Sequence, residues 1–276
     1  MTYKSIMVHL ELNGDNEGVL NIAADLAVRF KSAVIGIAAA QPLQIPYEEG
    51  WTATDVVTAD RTEIKKELAA CKAQFYHAMQ ERVTDLEWRG CITYDLLADY
   101  IADEARSADL IVTGKDIGGS MFDTSRRVNI GQLAMQAGRP ILLVPQGITS
   151  LPMRNVVVGW KESREARRAA ADAMPLLLAA GRATVLAVTG LAESATAGNA
   201  TADVVHWLSR HGVEATPAVV TADGSELCGL PRELTRRGCD LLIAGAFGHN
   251  RLGEWAFGGA TNDILLDPEF CVLLSH

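Results

Sequence analysis

The chain has 276 residues, 49% hydrophobic and 21% charged, with a net charge of −9. That length exceeds one small α/β unit and points to two domains of about 100–200 residues each. The acidic balance argues against binding nucleic acid or an anionic membrane, both of which need a net basic face.

The N-terminal MTYKSIMVHLEL enters a strand-like segment at once, without the pattern of a secretory leader. No run approaches the roughly 18 apolar residues of a membrane span. The five cysteines, Cys71, Cys91, Cys228, Cys239 and Cys271, are scattered without a CxxC pair and read as core residues of a reducing compartment. The expectation is a soluble, cytoplasmic protein with no nucleic-acid or membrane partner.

In chain order, Ser5–Leu10 reads as a first strand, Gly18–Arg29 as an amphipathic helix and Ala33–Ile37 as a second strand. A loop, Gln41–Gly50, and a long helical stretch, about Ala59 to Arg82, follow as an insertion over roughly 41–84. This insertion reads equally as a cover helix or as a specificity or partner surface. Ala108–Gly114 and Ile141–Val144 are further strands, and Gln146–Pro152 is a polar turn that marks a boundary. The pattern then starts again. Asn155–Trp160 is a strand, Glu165–Leu178 a helical stretch, Ala183–Val188 a strand and Asn199–Arg210 a helix. Cys239–Gly245 and Val272–Ser275 complete it.

The two halves are copies. Ala108-Asp-Leu-Ile-Val-Thr-Gly114 matches Cys239-Asp-Leu-Leu-Ile-Ala-Gly245, and from each Gly the next apolar run begins 27 residues on, at Ile141 and Val272. Short apolar runs alternating with amphipathic helices are βαβ units around a parallel sheet. The expected fold class is therefore α/β, with two tandem doubly wound domains over 1–147 and 152–276. Each is a five-stranded, mainly parallel, Rossmann-like sheet with helices on both faces.

In such sheets ligands bind at the carboxyl ends of the strands, where strand order reverses, and a glycine turn into a helix start suits phosphate. The second copy offers Gly245, two residues, Gly248, nine residues, Gly258, then Gly259, Ala260 and Thr261, ahead of a helix-like Asn262–Leu266. With the duplication, this spacing resembles the universal stress proteins, in which Gly-x2-Gly-x9-Gly is followed by Ser or Thr. The resemblance spans nearly the whole chain. It implies a stress-response protein binding ATP, with or without Mg2+, in an adenine-nucleotide α-hydrolase-like fold. It also implies a backbone contact to adenine at Val188 and pairing of the fifth strands, Ile141–Val144 with Val272–Ser275, as an intramolecular pseudo-dimer with homodimerisation open.

The chain departs from the family where the family keeps an Asp after the first strand. The second copy has Lys161, which can meet a phosphate but cannot accept a hydrogen bond, and Gly259 replaces the hydroxyl residue. The first copy has Glu11 at the Asp position but, counted from Gly114, has Ile117 and Arg127 at the second and third glycine positions and Val128 where Ser or Thr would be. The nucleotide-contact candidates are thus Gly245, Gly248, Gly258, Gly259, Ala260, Thr261, Val188 and Lys161. No nucleophile with a base, metal spacing or phosphate loop of another class is legible, so no enzyme activity beyond weak ATP hydrolysis is expected. The alternative is a nucleotide-free interaction protein with a vestigial site. Ser163 reads as a helix N-cap, Arg164, Arg167 and Arg168 as a solvated helix face, His249 as a surface residue and His9 as a satisfied interior residue.

Overall fold

The computed structural model describes residues 2–43, 52–114, 125–221, 230–246 and 270–276. They gather into two compact units, Tyr3–Arg139 and Pro140–His276.

In the N-terminal unit, β1 (Ser5–His9), β2 (Ala33–Ala40), β3 (Leu86–Ile92) and β4 (Leu110–Gly114) are parallel and lie in the order β3-β2-β1-β4. The inner strands are apolar along their length because both faces are covered: Ile6, Met7, Val8, Ile111 and Val112 are fully buried. The first crossover is α1 (Glu17–Phe30), which buries Val19, Leu20, Ile22, Ala23, Leu26 and Ala27 and ends at Lys31 in the left-handed region. The return from β3 runs through α3 (Leu97–Glu104), and α4 (Ile130–Gln136) follows β4, capped by the Asn129 side chain accepting from Gln132 N.

The insertion is a single helix, α2 (Thr52–Met79), which begins seven residues earlier than its sequence pattern suggests. It buries Ile64, Cys71, Phe75 and Met79, a stripe at helical spacing. Phe75 lies directly on Gly36 of β2, where a β-carbon would approach its ring to 2.7 Å, and stacks beside Trp88 of β3 at 5.6 Å between centroids. Along this stripe the insertion is a cover helix.

In the C-terminal unit, β5 (Ile141–Val144), β6 (Val156–Gly159), β7 (Ala183–Thr189), β8 (Ala215–Thr221), β9 (Leu241–Gly245) and β10 (Cys271–Ser275) lie in the order β5-β10-β9-β6-β7-β8. All neighbours are parallel except β5 and β10, the fifth strands of the repeat, which pair antiparallel with Leu273 opposite Leu142. The helical stretch expected over Glu165–Leu178 is two helices, α5 (Arg164–Asp172) and α6 (Met174–Ala179). Pro175 in the first turn of α6 lacks the N–H that a continuous helix would use, so the run breaks at Ala173. Two further helices, α7 (Ser194–Arg210) and α8 (Leu230–Arg236), complete the described part.

The repeated Asp has the same task in both units. Asp109 accepts from the backbone N–H of Lys4 at 2.7 Å and Ser5 at 3.0 Å, and Asp240 accepts from Arg154 at 2.7 Å and Asn155 at 3.3 Å. Each ties the start of its strand to the amino end of the first strand beside it. Cys71, Cys239 and Cys271 are buried and free. Burial pushes their thiols up, to about 11 for Cys71 and about 12 for the other two, so they are packing groups and not nucleophiles. Cys228 lies outside the described residues. No helix among the described residues is long and apolar enough to cross a membrane.

Candidate functional site

In the C-terminal unit β6 has β7 on one side and β9 on the other, so the chain order reverses at β6 and the crevice opens at the carboxyl ends of β6 and β9. The polypeptide leaves β6 through Trp160, whose N–H extends the ladder to Leu186 O at 2.7 Å, and then reaches Lys161, which is exposed. Ser163 caps α5 by accepting from Ala166 N at 3.2 Å, as its sequence position suggests. Val188 is half-buried on β7, opposite Val220 and two residues beyond Leu186, the last partner of β6.

Gly245 ends β9 against the first turn of α5. A β-carbon there would stand 2.5 Å from the carbonyl carbon of Glu165 and 2.6 Å from the Ala166 nitrogen, so no other residue fits without moving the helix. The alanines of α5 (Ala166, Ala169 and Ala170) are buried and allow this approach.

Glu165 is 1% exposed, although it is a first-turn carboxylate. Burial opposes its charge, but the Arg164 guanidinium on Oε1, with hydrogen bonds to the carboxylate from its own backbone N–H and from Ser163, outweighs this and holds the carboxyl below its ordinary range. Oε2 is buried with no donor at hydrogen-bond distance. Nothing in the sequence marks this residue as more than a helix-dipole partner; its burial follows from the bare backbone of Gly245, 80 positions away. The basic group is an ion-paired surface: Arg167 meets Glu162 at 2.6 Å and Arg168 meets Asp172 at 3.4 Å, with all four side chains partly exposed.

The structure thus brings Lys161, Val188 and Gly245 to one end of the sheet. Gly248, His249, Gly258, Gly259, Ala260, Thr261 and the expected helix Asn262–Leu266 lie outside the described residues. Among the described residues no three His, Cys, Asp or Glu side chains stand close enough to hold a metal.

The same end of the N-terminal unit is built differently. Where the second copy has Gly159 and Ala244, the first has His9 and Thr113, whose side chains bond at 2.8 Å in the interior. Burial pushes the imidazole down to about 4, so His9 is neutral at physiological pH. Glu11, at the family's Asp position, has its backbone N–H and C=O engaged by the Asn16 side chain.

Above it stands a network that the sequence did not reveal. Arg126 Nε meets Glu67 at 3.1 Å, Nη2 meets Asp60 at 2.8 Å and Nη1 donates to Gln41 O at 3.0 Å. Asn13 donates to Glu67 as well, and Asn16 to Gln74. Asp60, Glu67 and Gln74 recur every seven residues, so they form one polar stripe along α2. The heptad spacing was the available signal, but its partner Arg126 lies 59 and 66 positions away in sequence.

Fold and crevice define the chain as a pair of doubly wound α/β units of Rossmann-like type, each with its strand order reversing at its first strand. This is the fold of the universal stress proteins. A universal stress protein from Archaeoglobus fulgidus DSM 4304 superposes with a TM-score of 0.72 over 98% of this chain and 97% of its own, at 12% identity. A protein assigned to the same group from Pseudomonas aeruginosa UCBPP-PA14 matches at 0.62 over 99% and 93%, at 13% identity. A protein of unknown function from P. aeruginosa PAO1 matches at 0.58 over 99% and 92%, at 14% identity. No protein-family model matches the sequence, and no curated protein matches it.

Proposed function

We propose that the chain is a tandem universal stress protein whose C-terminal unit binds an adenine nucleotide, ATP with or without Mg2+, and performs little or no catalysis. The observation that carries this reading is the place of Gly245. It is the first glycine of the Gly-x2-Gly-x9-Gly pattern, and it stands at the carboxyl end of β9, backbone against the first turn of α5, where this fold has its crevice. Lys161 at the mouth suits a phosphate. Mg2+, where present, is carried by the nucleotide's own phosphates. The same reading places the protein in the cytoplasm, as a monomer or a homodimer, without nucleic-acid or membrane partners.

A thermal-shift titration tests this reading. ATP at 100 times its Kd should raise stability by about 2.7 kcal/mol. Gly248→Val should remove that shift. A second reading, a nucleotide-free interaction protein, is favoured by the exposed cation in place of the family's carboxylate. It requires no shift with the natural chain and binding only after Lys161→Asp with Gly259→Ser.

A further inference from the structure

The two copies differ in length at two places, and in the N-terminal unit those two places touch. The loop leaving β1, residues 10–16, is three residues longer than its counterpart after β6, residues 160–163. The helix between the second and third strands of the copy has 28 residues in α2 and 17 in α7. Three residues of α2 reach the longer loop. Glu67 Oε1 accepts from Asn13 Nδ2 at 2.5 Å, Cys71 Sγ donates to Glu11 O at 3.6 Å, and Gln74 Oε1 accepts from Asn16 Nδ2 at 3.2 Å. Residues 67, 71 and 74 stand at i, i+4 and i+7, so one face of α2 makes all three contacts.

We propose that α2 is a clamp on the loop leaving β1. Glu67 and Gln74 hold Asn13 and Asn16, and through Asn16 they hold the backbone of Glu11.

The bonding inside the loop supports this. Asn16 is 5% exposed, and its side chain is the hub. Its Oδ1 accepts from Glu11 N at 2.9 Å, while its Nδ2 donates to Glu11 O at 3.0 Å. Gln74 therefore orients the one amide that fixes Glu11 on both sides. Asn13 sits in the left-handed region with φ at 59°, and its bond to Glu67 ties that turn to α2. A polar network of this kind, with its members bonded to one another, specifies a single arrangement. The Glu11 side chain then lies between two bare backbones. A β-carbon on Gly14 would meet the Glu11 Cβ at 2.7 Å, and one on Gly114, at the end of β4, would have Oε1 at 3.5 Å. The shorter loop of the C-terminal unit closes locally instead: Ser163 N donates to Lys161 O at 2.7 Å, and Glu162 meets Trp160 and Arg167.

The proposal does not depend on nucleotide binding by the C-terminal unit. Hydrogen exchange on the full-length protein reads it, with the substitutions confined to α2 so that the loop keeps its own sequence. Glu67→Ala with Gln74→Ala should speed exchange at the Glu11 amide by about tenfold or more. The Ala33 amide, bonded to Lys4 O at 2.9 Å at the other end of β1, should keep its rate. Gln74→Ala alone, at an exposed position of the helix, should show the same selectivity. Faster exchange at Glu11 than at Ala33 in either variant sustains the clamp. An unchanged rate at Glu11 in both variants overturns it. So does equal acceleration at Glu11 and Ala33 in both, which would make α2 a support of the whole unit and not a clamp on one loop.

Discussion

Gly245 and Glu165 touch backbone to backbone: a methyl group on the glycine would lie 2.5 Å from the glutamate's carbonyl carbon. Their counterparts in the first copy do not share this contact. A β-carbon on Gly114 would have the Glu11 side chain as its nearest neighbour, at 3.5 Å. Gly245→Ala should therefore cost about 1–3 kcal/mol, the usual penalty of overpacking, whereas Gly114→Ala should stay within about 0.5 kcal/mol. Urea denaturation of the two variants measures both, and equal costs would show that α5 is not seated against β9 as described.

The repeated Asp offers a matched pair of tests. Asp109→Ala and Asp240→Ala each leave two backbone N–H groups without their carboxylate acceptor. In each pair one bond is exposed and the other, to Ser5 or Asn155, is partly buried, and a partly buried donor that loses a charged acceptor costs about 1–3 kcal/mol. Both variants should fall in that range in denaturant melts.

How much was legible follows from the range of each interaction. Four strands of each copy could be read because strands covered on both faces are apolar along their length, as in Leu-Ile-Val-Thr and Leu-Leu-Ile-Ala before Gly114 and Gly245, whereas β3 and β8, which are only partly buried, could not be placed. Ser163 could be read because capping is local. The ion pairs of Arg126 could not, since Asp60 and Glu67 lie 66 and 59 positions away. Glu165 failed for the same reason: its neighbour Gly245 comes from another strand.

Stability should fall in mild acid through His9. In the folded protein its pKa is lowered to about 4, from 6.5, by burial. Above pH 6.5 neither state binds the proton and there is no effect. As pH falls from 6.5 towards 4 the unfolded chain takes up a proton that the folded one refuses, so stability drops by up to about 3 kcal/mol. His9→Leu with Thr113→Val should flatten this part of the profile, measured as urea midpoints at a series of pH values.

The cover helix rests on Phe75. Phe75→Ala should cost about 3–5 kcal/mol by leaving a cavity between Gly36 and Trp88. A loss below about 1 kcal/mol would indicate that α2 is not packed on the sheet.

The nucleotide site in the C-terminal unit is tested most directly by calorimetric titration of the natural chain with ATP, repeated on Gly248→Val. The account predicts one equivalent bound by the natural chain and none by the variant. Absence of ATP binding by the natural chain, or a Gly248→Val variant that binds ATP as well as it does, would contradict it.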